Sequence, residues 1–520
     1  MTQQSPTAQH SKSEANFLRI LFFLFTAFLV GLIWSRNVFV TLDGPAHVYN
    51  AHLLGQLIFG GESVLHSFFV SNPFPVPNAS GHILLMVFQS LFSPEVSEKL
   101  LLTLIVCLLT YGSRFLLQSA FQGLFFGAFL IFPFVFSYIF FLGFYNFSLG
   151  LGIMLVALGF YFSRREQGGG KFYIILFLFL AGLYFSHLVI LGFTLLVIFL
   201  AELFSFLGNR EFKGRHISAL ALVTAPWVVL SVLFLWFSPN AENEAGPDTF
   251  LRFTNLVRGR PMVALNFERE QVFADLIMAG LMFLTVFFVW NFFSGMLKGM
   301  SIGFKALLAG ALLALCLYFA LPDGMAGGGY LTDRLLLLFF ILSIICLSSL
   351  RMPFWFGCCL ILVSGISLAG RGFYFKQVTL IHSREAGELL ETGKRIPENS
   401  LVLPLNFSHN WFESHFTDYV GAGNKSILLN NYEPGNNYFP LKWKTGNPAE
   451  WLGYPPGTKN CGDLSTFETE NRTIDFVVFW KYKSDETDSC RKETVRKILK
   501  NFKPVYLSRH QNAVLLKRMP

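Results

Sequence analysis

The sequence predicts an α-helical polytopic membrane protein with about eleven transmembrane helices, followed by a small C-terminal α/β domain. Hydrophobic residues make up 53% of the 520 residues and charged residues only 14%, whereas a soluble domain carries about a quarter charged residues. Apolar stretches that approach the roughly 20 residues needed to cross a bilayer recur as far as Gly370. After Gly370 the composition becomes polar, which is typical of a water-exposed domain.

The net charge of the chain is +8, a value that is compatible with nucleic-acid binding. The basic residues, however, are not gathered in one segment. Many of them flank apolar stretches, where the positive-inside rule explains them without a nucleic-acid partner. We therefore predict that the chain contacts membrane lipids and no nucleic acid.

The chain divides into a tail, a membrane domain and the polar C-terminal part. Residues 1–16 are mainly polar and predict a disordered cytoplasmic tail. Residues 17–370 predict a multi-spanning domain with long outer loops at 35–95 and 238–271. The stretch 81–92 is too short to cross a bilayer and predicts a helix lying along the outer interface. The predicted spans are 17–34, 96–113, 121–142, 147–162, 172–186, 188–206, 217–237, 272–293, 304–321, 331–347 and 353–370.

Basic residues in the short loops predict the orientation. The loops 163–171 and 208–216 contain three basic residues each, whereas the long stretch 35–98 contains only Arg36. Because Lys and Arg accumulate on the cytoplasmic side, the N-terminus is predicted to be cytoplasmic and the C-terminal domain extracytoplasmic. The default location is the plasma (inner) membrane of a bacterium, with the chain crossing it many times.

Residues 371–520 predict an extracytoplasmic α/β domain. Its predicted helices are 383–392 and 490–501, its predicted strands are 400–405 and 474–480, and a closing hairpin is predicted at 505–508 and 513–517. Cys461 and Cys490 are the domain's two cysteines, and in an oxidising compartment they predict a disulfide. The alternative is two unrelated free thiols.

One short motif carries the chemistry. Residues 41–51 are Thr-Leu-Asp-Gly-Pro-Ala-His-Val-Tyr-Asn-Ala and open the first outer loop. Here the chain resembles the polyprenyl-phosphate-sugar-dependent glycosyltransferases of the GT-C class, a superfamily similar to aminoarabinose transferases and protein mannosyltransferases. The specific match is about ten residues, while the layout of spans, loops and C-terminal domain is similar along most of the chain.

The resemblance implies catalytic roles for two residues of this motif. In that class an acidic residue lies just beyond the first span, so Asp43 is expected to be the general base that accepts a proton from the acceptor hydroxyl. The alternative is that Asp43 only caps a helix that begins near Pro45. His47 lies one helical turn further on and is expected to orient Asp43, contact a phosphate or join Asp43 on an ion. The alternative is an ordinary surface histidine.

Four other residues are candidates for substrate binding by their position on the predicted outer surface. Asn146 lies in a tight turn between spans, and His187 lies between two spans. Arg334 opens the tenth span, where its planar guanidinium suits a donor phosphate, although an interfacial anchor pair with Asp333 explains it equally well. Arg258 represents the arginines of the loop 238–271, for which solvated loop charge is the alternative.

The predicted function is transfer of a sugar from a polyprenyl-phosphate carrier to an extracytoplasmic acceptor, by a GT-C enzyme that inverts the anomeric configuration. No cofactor is required by the residues, but members of the class differ in metal use, so a divalent cation stays open. The aromatic and amide-rich stretch 430–443 suits either carbohydrate binding or docking on the membrane domain. Competing interpretations are a transporter or lipid flippase, and a non-catalytic scaffold in envelope assembly.

Overall fold

The computed structural model describes residues 12–61, 63–121, 125–209, 214–237, 248–294, 300–324, 328–350, 352–444, 446, 474–483 and 489–520. Its helices are α1 Lys12–Trp34, α2 Gly44–Phe59, α3 Leu65–Phe68, α4 Ser80–Gln89, α5 Pro94–Ala120, α6 Phe132–Val135, α7 Tyr138–Phe141, α8 Tyr145–Arg164, α9 Gly170–Ser186, α10 Leu188–Asn209, α11 Gly214–Phe237, α12 Thr249–Val257, α13 Phe267–Phe293, α14 Ile302–Ala320, α15 Leu331–Ser348, α16 Phe354–Gly393 and α17 Ser489–Asn501. Its strands are β1 Phe69–Ser71, β2 Leu401–Asn406, β3 Ile427–Leu428, β4 Leu441–Trp443, β5 Phe476–Trp480, β6 Phe502–Leu507 and β7 Ala513–Arg518.

The membrane class is confirmed, but the predicted count of about eleven spans is not. Among the described residues, nine helices are long and apolar enough to cross a bilayer: α1, α5, α8, α10, α11, α13, α14, α15 and α16. The predicted span 172–186 corresponds to α9, which is apolar but has only 17 residues. The predicted span 121–142 does not form one helix at all.

From residue 125 onward, this stretch is broken into short pieces that are mostly buried inside the protein. A 3₁₀ helix at Phe126–Ile131 is followed by α6 and α7, and Pro133 lies in the first turn of α6. A proline lacks the backbone N–H and removes a helix bond. Arg371 of α16 donates to the backbone oxygens of Pro133 and Phe136. Irregular backbone is tolerated at this depth only when such partners satisfy it.

The helix α16 joins the membrane part to the C-terminal domain. It runs without interruption over 40 residues, so the predicted span 353–370 and the predicted helix 383–392 are one element. The change of composition after Gly370 therefore marks no break in the backbone. No proline lies between 371 and 393, and a helix has no local reason to end there.

The C-terminal domain contains the predicted α/β arrangement. Its five-stranded sheet has the order β3-β2-β5-β7-β6. β2 pairs in parallel with β3 and β5, whereas β7 is antiparallel to both β5 and β6. The hairpin of β6 and β7 matches the predicted closing hairpin, and each predicted strand lies within a few residues of an observed one.

A second, two-stranded sheet connects this domain to the first outer loop. β1 pairs antiparallel with β4, and the ring of Phe69 stacks on that of Trp443 at 4.3 Å between centroids. The stretch 430–443 therefore docks on the loop 35–95. Tyr49 of α2 adds a further connection, because its hydroxyl donates to the backbone oxygen of Ser426 and accepts from the N–H of Leu428.

Candidate active site

The loop that carries Asp43 is fixed by its backbone against the turn before α8. The N–H groups of Leu42 and Asp43 donate to the oxygens of Phe141 and Leu142 at 2.9 and 3.2 Å. Gly143 adopts a φ of +81°, and a Cβ at this position would lie 2.8 Å from the nitrogen of Asp43. Only glycine adopts this conformation readily, so Gly143 permits the close approach that positions Asp43.

A buried network of hydrogen bonds lies beneath the same loop. The hydroxyl of Tyr145 is 2.6 Å from Thr41 Oγ1 and donates to Glu98 Oε1 at 2.6 Å. Tyr419 of the C-terminal domain donates to the other oxygen of Glu98 at 3.2 Å. Glu98 is fully buried, and a Cβ on Gly44 would lie 2.2 Å from it. These contacts make the start of α2 a rigid platform.

Asp43 borders a cavity of about 410 Å³. The candidates His47, Asn146, His187 and Arg334 line the same cavity, although they belong to different helices and turns. The structure therefore brings five of the six candidate site residues together. The polar wall is completed by His415, Tyr432 and Tyr438 of the C-terminal domain, and the apolar wall by Phe144, Phe147, Leu188, Val189, Phe234 and Leu235.

The carboxylate of Asp43 faces the cavity and does not cap α2. Asp43 occupies the N-cap position, but its side chain accepts no hydrogen bond from the helix backbone. Burial raises the pKa of Asp43 to about 7, a rise that nearby Glu433 reinforces and that His47 and Arg334 oppose. Its Oδ1 lies 3.5 Å from Nε2 of His415. A largely desolvated carboxylate of this kind suits proton transfer near neutral pH.

His415 is the neutral neighbour of Asp43. Burial lowers the pKa of His415 to about 4, although Glu433 opposes this shift. Its ring packs on Tyr432 with 4.6 Å between centroids. A neutral imidazole beside Asp43 provides a hydrogen-bonding group without adding a charge to the cavity.

Both ring nitrogens of His47 have partners other than Asp43, and one of these partners belongs to the C-terminal domain. Its Nδ1 lies 2.6 Å from Glu433 Oε1, and its Nε2 lies 3.0 Å from the backbone oxygen of Gly143. The other carboxylate oxygen of Glu433 lies 2.8 Å from Nε2 of His82. Burial favours the neutral forms of both His47 and Glu433, but the neighbouring groups outweigh it. Glu433 and Asp43 raise the pKa of His47. His82 and His47 lower the pKa of Glu433 to about 2.

Arg334 and His187 also line the cavity. The guanidinium of Arg334 is 4.6 Å from the centroid of Phe144, and its buried Nε has no hydrogen-bond partner among the described residues. The ring of His187 packs edge-on against Phe147, and its Nδ1 is likewise buried without a partner among them. Both side chains therefore keep polar capacity for a ligand.

Asn146 borders the cavity but uses its amide inside the protein. Its Oδ1 accepts from the N–H of Gly81 at 2.7 Å, and its Nδ2 donates to the oxygen of Asn78 at 3.1 Å. Asn146 therefore fixes the start of α4 against α8. Its predicted contact with substrate stays a prediction.

Arg258 lies outside the cavity lining. Its guanidinium forms a 3.6 Å ion pair with Asp275, and both side chains are exposed. The other three arginines of its loop have contacts elsewhere. Arg252 donates to the oxygen of Tyr318, Arg260 lies 3.9 Å from the ring centroid of Tyr138, and Arg269 lies 5.7 Å from that of Tyr374. These contacts agree with the alternative of solvated loop charge and local packing, and the predicted contact of Arg258 with substrate stays a prediction.

The predicted disulfide lies outside the described residues. Cys461 is not described, and of Cys490 only the backbone in α17 is. The pairing therefore stays a prediction.

Sequence reasoning missed His82, Glu433 and His415. His82 lies in the apolar stretch 81–92, and its role was hidden by the interpretation of that stretch as an interfacial helix. Glu433 is the only carboxylate in the stretch 430–443, which was the one available signal. Nothing in the local sequence of His415 indicates that it reaches a loop more than 370 residues earlier.

The sequence matches no protein-family model and no curated protein. Its structure is nevertheless similar along nearly the whole chain to crystal structures of ArnT from Cupriavidus metallidurans. The apo state has 10% sequence identity and a TM-score of 0.55, and the match covers 97% of this chain and 98% of that chain. The state bound to undecaprenyl phosphate has 11% identity and a TM-score of 0.55, with 96% and 98% covered.

The chain has the GT-C fold. The expectation that came from ten residues around Asp43 and from the order of spans and loops is thereby confirmed for the fold. Within the GT-C fold, the cavity of Asp43 is formed where the first loop, the turn before α8, the start of α15 and the C-terminal domain meet.

Proposed function

We propose that the chain transfers a sugar from a polyprenyl-phosphate-linked donor to an extracytoplasmic acceptor, such as a glycolipid, polysaccharide or protein. The acceptor hydroxyl oxygen forms a bond to the anomeric carbon while the bond from that carbon to the phosphate oxygen breaks. Asp43 takes the hydroxyl proton, and the polyprenyl phosphate leaves with the electron pair. A single displacement of this kind inverts the anomeric configuration.

The observation that supports this proposal best is the content of the cavity. It holds a desolvated carboxylate, Asp43, on one side and a guanidinium, Arg334, on another. Sugar transfer requires a proton acceptor at the nucleophile and positive charge at the departing phosphate. Asp43 and Arg334 supply these two groups, and Nε of Arg334 has no hydrogen-bond partner among the described residues.

The apolar wall of the cavity suits a lipid-linked donor. Phe144 and Phe147 at the start of α8 lie next to the arginine, and Phe234 and Leu235 belong to the end of the apolar helix α11. A prenyl chain gains stability from such a surface at roughly 0.8 kcal/mol for each CH₂ group that it buries. The ArnT structure with undecaprenyl phosphate shows that one protein of this fold binds such a carrier.

The proposed reaction takes place on the outer side of an inner membrane. This follows from the predicted orientation, in which the N-terminus is cytoplasmic and the loop 35–95 and residues 371–520 are extracytoplasmic. The cavity lies between these two outer regions, where a lipid carrier displayed on the outer leaflet can reach it.

The test compares Asp43→Asn with the wild-type chain in a deletion strain, at equal membrane abundance. Surface glycans and polyprenyl-linked sugars are profiled by mass spectrometry. The expected result is loss of one sugar from an acceptor and accumulation of its lipid-linked donor, because Asn keeps the shape of Asp43 but cannot accept the proton. Asp275→Asn, which alters an exposed carboxylate away from the cavity, serves as the control and should leave the profile unchanged. An unchanged profile with Asp43→Asn, together with an altered one in the deletion strain, would exclude Asp43 as the base.

A further inference from the structure

Behind the cavity wall lies a buried cluster of two imidazoles and one carboxylate. His47, His82 and Glu433 are 5%, 1% and 0% exposed. One side-chain atom from each residue lies within 4.8 Å of the other two. The three come from α2, α4 and the segment after β3, so the fold brings together groups that are far apart in sequence.

The hydrogen bond to Gly143 shows which ring nitrogen of His47 carries a proton. A backbone oxygen only accepts, so the nitrogen that contacts Gly143, Nε2, carries a proton. Nδ1 then faces Glu433 Oε1 at 2.6 Å. In a neutral imidazole this contact would place a lone pair against a carboxylate oxygen, so a positive charge must lie on or between the two groups.

Metal-binding histidines show the same arrangement. Their second ring N–H usually donates to a backbone oxygen or a carboxylate, which orients the metal-binding nitrogen. Gly143 provides that oxygen for His47. Among the described residues, no lysine or arginine forms an ion pair with Glu433, and its two carboxylate oxygens contact the rings of His47 and His82.

In a second cluster of the same protein, a lysine provides the positive charge beside the carboxylates. His382, Glu385 and Glu413 also lie close together. There the ammonium of Lys481 lies 2.6 Å from Glu385 and 2.9 Å from Glu413. That cluster already has its cation, so it differs from the one around Glu433.

We propose that His47 Nδ1, His82 Nε2 and the carboxylate of Glu433 bind a divalent first-row transition metal, Zn²⁺ or an ion of similar ligand preference. Two imidazole nitrogens and one carboxylate suit such ions, whereas Ca²⁺ and Mg²⁺ take oxygen ligands. To admit an ion at about 2.0 Å from each ligand, the side chains move apart by roughly half an ångström. Three protein ligands leave one position for water.

The ion would connect the C-terminal domain to the catalytic loop. Glu433 belongs to the C-terminal domain, while His47 borders the cavity four residues after Asp43. A bound ion would therefore hold His47 and the segment that carries Tyr432 in place over the cavity. Only this link to sugar transfer rests on the proposed function; binding of the ion rests on the three side chains.

The experiment measures metal content of the full chain. Protein purified in detergent is stripped with a chelator, incubated with ZnSO₄, freed of unbound ion by gel filtration and analysed by inductively coupled plasma mass spectrometry. The wild-type chain should hold about one ion, and its thermal unfolding temperature should rise on reloading. Glu433→Gln and His82→Gln, which keep side chains of similar size, should each lose the ion and the rise. His66→Gln, in the same outer loop but outside the cluster, should keep both.

The inference is overturned if the reloaded wild-type chain holds no more zinc than Glu433→Gln, or if its unfolding temperature does not respond to the metal. The wild-type measurement needs no variant, so it decides the matter even if a substitution prevents folding. Metal content is independent of sugar transfer. A chain that binds zinc but transfers no sugar would contradict the proposed function alone, and one that transfers sugar without binding any metal would contradict this inference alone.

Discussion

Substitution of Gly143 by alanine should displace Asp43, because the added methyl group clashes with the backbone of the Asp43 loop. The added Cβ would lie 2.8 Å from the nitrogen of Asp43 and 3.0 Å from that of Gly44, where ordinary contacts are about 3.5–4.0 Å. Both neighbours are backbone atoms, so they cannot rotate away. The loop must move by half an ångström or more, or the turn before α8 must open.

The expected decrease in the free energy of unfolding has two parts, which a control variant can separate. The φ of +81° at Gly143 costs an alanine roughly 1–2 kcal/mol, and overpacking of a buried site costs roughly 1–3 kcal/mol. Gly61 has a similar φ of +71° but nothing within 4 Å of its Cβ. Gly61→Ala should therefore show the backbone cost alone, and the difference between the two variants isolates the clash.

Two assays follow the two effects. Thermal or denaturant unfolding in detergent should place Gly143→Ala about 1–3 kcal/mol below Gly61→Ala. The rate of sugar transfer should fall by about 100-fold in Gly143→Ala, because a misplacement of about 1 Å has that effect on positioned groups. In Gly61→Ala the rate should stay near that of the wild-type chain. Equal stability and equal transfer in the two variants would refute the argument that Gly143 positions Asp43.

Three further predictions test other parts of the structure. Burial lowers the pKa of His52 to about 4. The neutral ring therefore contributes its full stabilisation of the fold above the unfolded pKa of about 6.5, and this stabilisation is lost as the pH falls toward 4. The free energy of unfolding measured near pH 5 should be lower by about 2 kcal/mol than at neutral pH, and His52→Gln should lack this decrease. Arg371→Leu should cost about 3 kcal/mol in unfolding measurements, because it removes the 3.6 Å partner of buried Glu270, and Glu270→Gln in the same chain should recover part of that loss. Asn146→Ala should cost about 1–3 kcal/mol by releasing the N–H of Gly81, whereas unchanged stability would return Asn146 to a purely substrate-binding role.

The sequence was sufficient for the class of fold and for the helix start after Asp43, for reasons that are local. Apolar stretches of membrane length have one favourable environment, and a motif such as Asp43-Gly44-Pro45 starts a helix by its own geometry. The C-terminal strands were found within a few residues because their apolar patterns are short and bounded by polar turns. Arg334 and His187 could be proposed because they lie at span ends, where polar groups are costly unless they are used.

What the sequence could not show depends on contacts between distant segments. The stretch 121–142 is as apolar as a span, and donor groups of Ser364 and Arg371, contributed some 235 residues later, help to satisfy its irregular backbone. Arg258 was chosen by its position in a predicted outer loop, and the structure places it outside the cavity lining, in a 3.6 Å ion pair with Asp275. Residues of this kind have partners that no local pattern reveals.

The C-terminal domain determines the chemistry of the N-terminal loop. The pKa of Asp43 rises mainly because the carboxylate is buried, and His415 and Tyr432, which help to enclose it, both belong to that domain. The same domain contributes Glu433, the nearby group that most raises the pKa of His47, and Tyr419, which donates to Glu98 beneath the loop. An acidic residue beyond the first span is therefore not by itself a base suited to neutral pH. A segment almost 400 residues later helps to bury Asp43, so under the proposed function the C-terminal domain is part of the active site as well as a structure that docks beside it.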